Sequence, residues 1–277
     1  LEIIVVDNAS TDNSREVINK KHPDITWISN SINLGFSAAN NIGVKAAKFE
    51  NIIMLNSDIV LLPDTIENLY YYSEQHEHFG IIGIQLLNKD KTPQKSTFEY
   101  PSIIQTLYQS HIFAALTRKS RSTEYAIMGS FIFTKKSTFE KIGGFDEDYF
   151  LYSEEIDLCS RIVKSGGEVL FLPEVSAIHF HEGSQTDKKW NIRQRYLSKA
   201  LFLYKSKGIF VLFLYIFISL LNSISNFFVL PFISKTLRKE YFTIQYGFYS
   251  NFLNYFVIPF RYTREINSGK KNLKWRQ

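Results

Sequence analysis

The run GGFDEDYFLYSEEIDLCSR, residues 143–161, sets two adjacent carboxylates, Glu154 and Glu155, at the start of a predicted helix. Phe145, Tyr149, Phe150, Leu151 and Tyr152 lead into them as an apolar, aromatic floor. A carboxylate on such a floor loses water and becomes more basic, which is what a general base needs. Ser153 stands at the N-cap position, and Asp157 and Arg161 are spaced i,i+4 to pair on one face. The plainer reading is a helix whose first-turn acids complement its dipole. In LNSDIVL, residues 55–61, Asp58 closes an apolar run that begins at Ile52. One carboxylate, with diphosphate oxygens and water, suits Mg²⁺ or Mn²⁺; the plainer reading is a turn or capping aspartate. In PEVSAIHFHEGS, residues 173–184, His179 and His181 alternate at strand spacing and so face opposite ways. At most one of them reaches a given site, as a further metal ligand or as a structural histidine.

Two more runs suit a nucleotide. In VVDNASTDNS, residues 5–14, Asp7 ends a buried strand and Asn8 opens the loop after it. A carboxylate there can accept from a nucleobase N–H or a ribose hydroxyl. Turn chemistry, with Thr11 or Asp12 as a helix cap, explains the same residues. In NLGFSAANNIG, residues 33–43, Asn33, Gly35, Asn40, Asn41 and Gly43 frame a helix N-terminus of small residues. Such an end lets a phosphate or sugar approach the backbone; close packing on a sheet uses the same small side chains.

The elements that must position these groups alternate. EIIVVD (2–7), ITWIS (25–29), NIIML (51–55) and GIIGIQLL (80–87) read as strands. SREVINKKH (14–22), SAANNIGVKAAKF (37–49) and PDTIENLYYYSEQ (63–75) read as helices between them. This alternation predicts an α/β chain with βαβ units and a mostly parallel sheet, whose ligands bind beyond the strands' carboxyl ends. The loops DNAST, SNSINLGFS and NSD lie there. Residues 88–125 are less regular; AIMGSFIFTKK (126–136) reads as a strand, and EVLFLP (168–173) and VSAIHF (175–180) as two closing strands.

Of the 277 residues, 45% are hydrophobic and 21% charged, as expected of a chain with a real core. Net charge is +5, yet from Lys235 to Gln277 nine Lys/Arg stand against Glu240 and Glu265, so this tail carries +7 and the rest −2. No basic, aromatic-interleaved stripe marks the first 200 residues, which argues against nucleic acid as a partner. Gly208 to Ile233 is 26 residues without a charge, and about 20 suffice to span a bilayer. Asn222, Ser223, Ser225, Asn226 and Pro231 interrupt it, so an interfacial helix pair beside Lys235, Arg238 and Lys239 is the alternative to a span. A basic tail behind an apolar run suits an anionic membrane. Cys159 is the only cysteine, in keeping with a reducing compartment.

Taken together, the runs resemble the family 2 glycosyltransferases, especially the rhamnosyltransferase-like branch that builds bacterial surface polysaccharides. VVDNASTDNS, NLGFSAANNIG, LNSD, GGFDEDYFLYSEEIDLCSR and a closing P-x5-H occur in family order across residues 1–205. The resemblance implies a GT-A fold, a Rossmann-like sheet flanked by helices, over 1–205, followed by a membrane-associating apolar and basic helical region over 206–277. It implies an inverting transfer from a UDP- or dTDP-linked sugar to a hydroxyl of a glycan or lipid-linked acceptor, at the cytoplasmic face of a bacterial membrane. Glu155 matches the catalytic acid of the E-D-x-D motif, with Glu154 and Asp157 beside the acceptor. Asp7, Asn8, Asn33, Gly35, Asn40, Asn56 and Asp58 would hold the donor. Asp58 and His179, six residues after Pro173, would hold Mg²⁺ or Mn²⁺. The family usually has Asp where this chain has Glu155, one methylene longer. It also begins with a strand and helix before LEIIVVD, so this chain is expected to lack them. The alternatives are a truncated, catalytically silent assembly or scaffold component and, less well matched, a nucleotidyltransferase.

Overall fold

The computed structural model describes residues 1–76, 78–107, 125–180 and 187–267, the last seven by backbone alone. The chain opens with β1 (Ile4–Asp7), α1 (Ser14–Lys21), β2 (Thr26–Ser29) and α2 (Phe36–Ala46). β1 and β2 pair in parallel as a small sheet of their own. Then come β3 (Asn51–Leu55), β4 (Ile59–Leu61), α3 (Thr65–Glu74), β5 (Phe79–Leu87), β6 (Thr97–Glu99) and α4 (Ile103–Leu107). After the undescribed stretch follow β7 (Tyr125–Ile127), β8 (Phe131–Lys135), α5 (Lys136–Lys141), α6 (Glu154–Lys164) and β9 (Glu168–His179). The helices α7 (Lys188–Lys207), α8 (Ile209–Val229), α9 (Lys235–Tyr249) and α10 (Phe252–Asn267) complete the chain.

The main sheet has five strands in the order β3-β8-β5-β9-β4. Only β5 and β9 run parallel in it, so the pairing is mixed and not mostly parallel. Apolar runs report that a strand is buried, not which way it points, and both directions satisfy that burial. Two further readings change. AIMGSFIFTKK is two strands, β7 and β8, separated by a turn at residues 128–130. EVLFLP and VSAIHF are one strand, β9, whose register against β5 shifts between Leu172 and Ser176.

Side-chain alternation splits β5 and β8 between two cores. Ile82, Ile84, Leu86, Phe131 and Phe133 pack with Leu69 of α3. Ile81 and Ile132 face the other way, onto Leu158 and Ile162 of α6. Gly80 allows that approach: a Cβ there would stand 2.3 Å from Ile162 Cγ2. The same core continues through Leu201 and Phe202 of α7 to Leu212 and Tyr215 of α8 and Tyr255 of α10. The sheet-bearing unit and the C-terminal helices therefore share one buried cluster.

Candidate active site

α6 starts on strained backbone. Tyr152 and Ser153 both adopt left-handed φ, 69° and 66°, a state that costs a non-glycine residue about 1–3 kcal/mol. Ser153 occupies the N-cap position, but its hydroxyl caps nothing. The surrounding bonds hold the strain. On one side, Ser37 Oγ donates to Tyr149 O (2.7 Å), and Phe36 N to Phe150 O (2.8 Å). Asn41 exchanges two bonds of 2.9 Å with the Phe145 backbone. On the other side, Ser198 Oγ donates to Leu151 O (2.8 Å), and Lys205 pairs with Asp146 and Asp148.

This clamp delivers both glutamates into the interior, 4% exposed at Glu154 and 9% at Glu155. Oε2 of each has no hydrogen-bond partner among the described residues. Burial lifts Glu155 to about 7, against the pull of a backbone hydrogen bond and the Arg195 charge. Burial and then the Glu155 charge push Glu154 well above the ordinary carboxylate range. Burial holds both carboxyls above the ordinary range, and a charge on one opposes a charge on the other. Asp157 is engaged elsewhere: Arg161 Nε donates to it at 2.7 Å, and Arg161 Nη1 donates to Ile142 O. The i,i+4 pair forms, and its carboxylate is turned to that pair.

The loops after β1 and β2 interlock. Asp7 Oδ1 accepts from Ser10 N at 3.0 Å, shaping the turn after β1. Asn8 Nδ2 donates to Gly35 O (3.0 Å), and Asn8 Oδ1 accepts from Asn30 Nδ2 (2.9 Å). Asn33 Oδ1 accepts from Gly35 N at 2.9 Å. Gly35 has φ +87°, and a Cβ on it would meet Phe150 O at 2.5 Å. Only glycine lets the start of α2 press against the glutamate loop. Asn40 donates to Phe36 O inside its own helix; Asn41 is the residue that reaches the glutamate loop.

Asp58 lies immediately before β4, where Ile59 pairs with His179 across the antiparallel β4–β9 ladder. That register brings Asp58 Oδ1 to 3.4 Å from His179 Nε2. His181 lies outside the described residues. Gln94 fixes the imidazole: its Nε2 donates to His179 O (2.7 Å), leaving Oε1 to face His179 Nδ1 at 3.0 Å. Nδ1 must then carry the proton. Nε2 therefore faces the Asp58 carboxylate. One O and one N ligand with a hydrogen-bonded second partner fit a divalent metal. No group of three or more such side chains gathers among the described residues.

The 128–130 turn touches both the loop that carries Asp58 and the glutamate helix. Asn56 N donates to Ser130 O (3.0 Å). On the turn's other side, a Cβ at Gly129 would stand 3.6 Å from Glu155 Cβ and from Phe36 Cζ. Arg195 stacks over Tyr152 with Cζ 5.0 Å from the ring centre, and its charge reaches Glu155. Gln94, Asn41, Arg195 and Lys205 are the supporting residues that motif reading passed over or left unplaced. Gln94 sits in the irregular 88–125 run, and Lys205 is far in sequence from the aspartates it binds.

The profile of the family described as Glycosyl transferase family 2 matches residues 1–156. The chain belongs to glycosyl transferase family 2. Among its relatives is the low-salt glycan biosynthesis hexosyltransferase Agl10 of Haloferax volcanii, 31% identical over 67% of this chain and 61% of that one. The N-acetylglucosaminyl-diphospho-decaprenol L-rhamnosyltransferase of Mycobacterium tuberculosis is 24% identical over 68% and 69%. Rhamnosyltransferase WbbL of Escherichia coli is 25% identical over 73% and 84%. In fold, this family 2 chain matches a mannosyltransferase of Pyrobaculum calidifontis solved with GDP-Man and Mn²⁺. The TM-score is 0.58 at 16% identity, over 89% of this chain and 75% of the other. Its fold is GT-A, a mixed sheet flanked by helices.

Proposed function

We propose that this family 2 chain is an inverting glycosyltransferase of cell-surface polysaccharide synthesis. It moves a sugar from a UDP- or dTDP-linked donor to a hydroxyl of a glycan or lipid-linked acceptor, at the cytoplasmic face of a bacterial membrane. The observation that carries this reading is Glu155. It is buried, raised to about 7, and one backbone turn away from the Asn56–Asp58 loop and the start of α2.

Asp7 and Asn8 take the nucleobase end of the donor, and the N-terminus of α2, opened by Asn33 and Gly35, takes its diphosphate. Asp58 and His179 would hold Mg²⁺ or Mn²⁺, which when bound supplies Lewis-acid neutralisation of the leaving diphosphate. Glu155 accepts the proton of the acceptor hydroxyl as that oxygen attacks the anomeric carbon from the face opposite the leaving group. Such positioned proton transfer contributes about 10²–10⁴-fold. Glu154, buried beside it and raised further by its charge, favours a single negative charge at the site. The aromatic approach from Phe145 to Tyr152 excludes water that would hydrolyse the donor. A thermal-shift screen of nucleotide-sugars, each with and without Mn²⁺ or Mg²⁺, tests the reading. At least one UDP- or dTDP-sugar raises the melting temperature in a metal-dependent way; the absence of any such shift across the panel contradicts it.

A further inference from the structure

The outer and inner faces of α8 are reversed with respect to a helix on a water-soluble protein. Phe210, Phe213, Phe217, Leu221, Ile224 and Phe228 recur at helical spacing and all face outward. Phe210 is 76% exposed and Phe228 69%. The opposite face is buried, and over its second half it is polar: Ser219, Asn222, Ser223 and Asn226. A surface helix in water turns its polar side out, and exposed apolar stripes of this size mark an interaction surface. The stripe extends beyond α8. Ring contacts run from Phe213 to Phe256, Phe252 and Tyr249, joining α8 to α10 and α9. Leu253, Phe256 and Phe260 of α10 also face outward.

By length and composition, Ile209–Phe232 could cross a membrane. Its inner face, however, is committed to the catalytic unit along most of its length. Leu212 and Tyr215 join the core that contains α6 and α7. Lys199 of α7 stands 5.2 Å above the Tyr215 ring, and Asn222 Nδ2 donates to Thr106 O of α4 at 2.5 Å. A helix held sidelong against the catalytic unit from residue 212 to residue 222 offers lipid only its outer stripe. Lys235, Arg238 and Lys239 follow directly and are exposed, giving an anionic surface its counter-charge.

We propose that α8 lies in the plane of an anionic bilayer surface, its phenylalanine stripe dipped among the headgroups, and does not cross the membrane. The proposal rests on the membrane placement given under Proposed function and specifies its mode. In consequence the catalytic unit rides at a fixed height above the bilayer, joined rigidly rather than by a tether.

Spin labels at Phe210→Cys, Leu221→Cys and Phe232→Cys in the full chain test it; the native Cys159 is buried and stays unlabelled. Depth is read by oxygen and nickel accessibility on vesicles rich in phosphatidylglycerol. All three labels should report one shallow depth, roughly 5–10 Å below the headgroup boundary. The triple variant Lys235→Glu, Arg238→Glu, Lys239→Glu should lose at least about a hundredfold in vesicle affinity. A label at Leu221 near the midplane, with the other two near opposite surfaces, overturns the in-plane mode and leaves the membrane placement standing. Failure of the unmutated chain to bind anionic vesicles overturns both, as does a stripe covered by a second copy in stable dimers that ignore vesicles. Equal affinity for neutral phosphatidylcholine vesicles overturns the charge contribution.

Discussion

Replacing Glu155 by glutamine should produce a protein that is less active yet more stable, with the stability difference set by pH. Glu155 ionises near 7 in the folded chain, against 4.5 for an ordinary glutamate, chiefly because it is buried. Between those values the folded chain holds a proton that the unfolded chain has released. Stability therefore falls as pH rises across that window and levels off above it. The gap corresponds to about 3 kcal/mol, at ~1.4 kcal/mol per pH unit. The neutral amide of the Glu155→Gln variant carries no such penalty. The Glu155 charge also raises Glu154, so its removal eases Glu154 in the same direction. Denaturant unfolding of both proteins from pH 4.5 to pH 8.5 is the assay. The two curves should nearly coincide at the acid end, and the variant should be about 3 kcal/mol more stable at pH 8. A difference that does not change with pH, or a variant destabilised throughout, refutes the claim that a buried ionising carboxyl sits here.

Other substitutions probe the supports. Gly35→Ala forces a side chain into left-handed backbone and against Phe150 O; it should cost upwards of about 1–3 kcal/mol and raise the donor KM, read by thermal melts and initial rates. Gln94→Leu removes the partner of His179 Nδ1 and should weaken Mn²⁺ affinity in the presence of donor by about 10–100-fold, read by metal titration. Lys205→Met removes the ammonium that pairs with Asp146 and Asp148 and should destabilise by about 3–5 kcal/mol, read by unfolding midpoints; an unchanged midpoint shows that the clamp on the glutamate loop does not depend on this pair.

The residue types gathered at the candidate site were more legible in the sequence than its scaffolding. An aromatic approach announces desolvation, so the raised basicity of Glu155 follows from residues 145–152. The choice of His179 over His181 rested on the family spacing; the β4–β9 register sets Ile59 opposite His179 and brings it to Asp58, while His181 lies outside the described residues. Strand direction is invisible to hydrophobic patterning, which is why a mixed sheet reads as a parallel one. Gln94 lies in a stretch without periodicity and gains its role only through the fold. Asn40 and Asn41 are indistinguishable by type; helix phase sends Asn41 outward to Phe145 and Asn40 back to Phe36. The left-handed Tyr152 and Ser153 carry no glycine to mark them. In the uncharged run from Gly208, the periodic separation of phenylalanines from Ser and Asn was readable, yet the run's length draws the eye first.

The central claim is that Asp58 and Glu155 carry sugar transfer. The most direct measurement is the rate of nucleoside diphosphate release from the stabilising nucleotide-sugar with Mn²⁺, for the unmutated chain and for Asp58→Ala and Glu155→Ala. A loss of about a hundredfold or more in each variant is the predicted result. Release that persists undiminished in both variants contradicts the account.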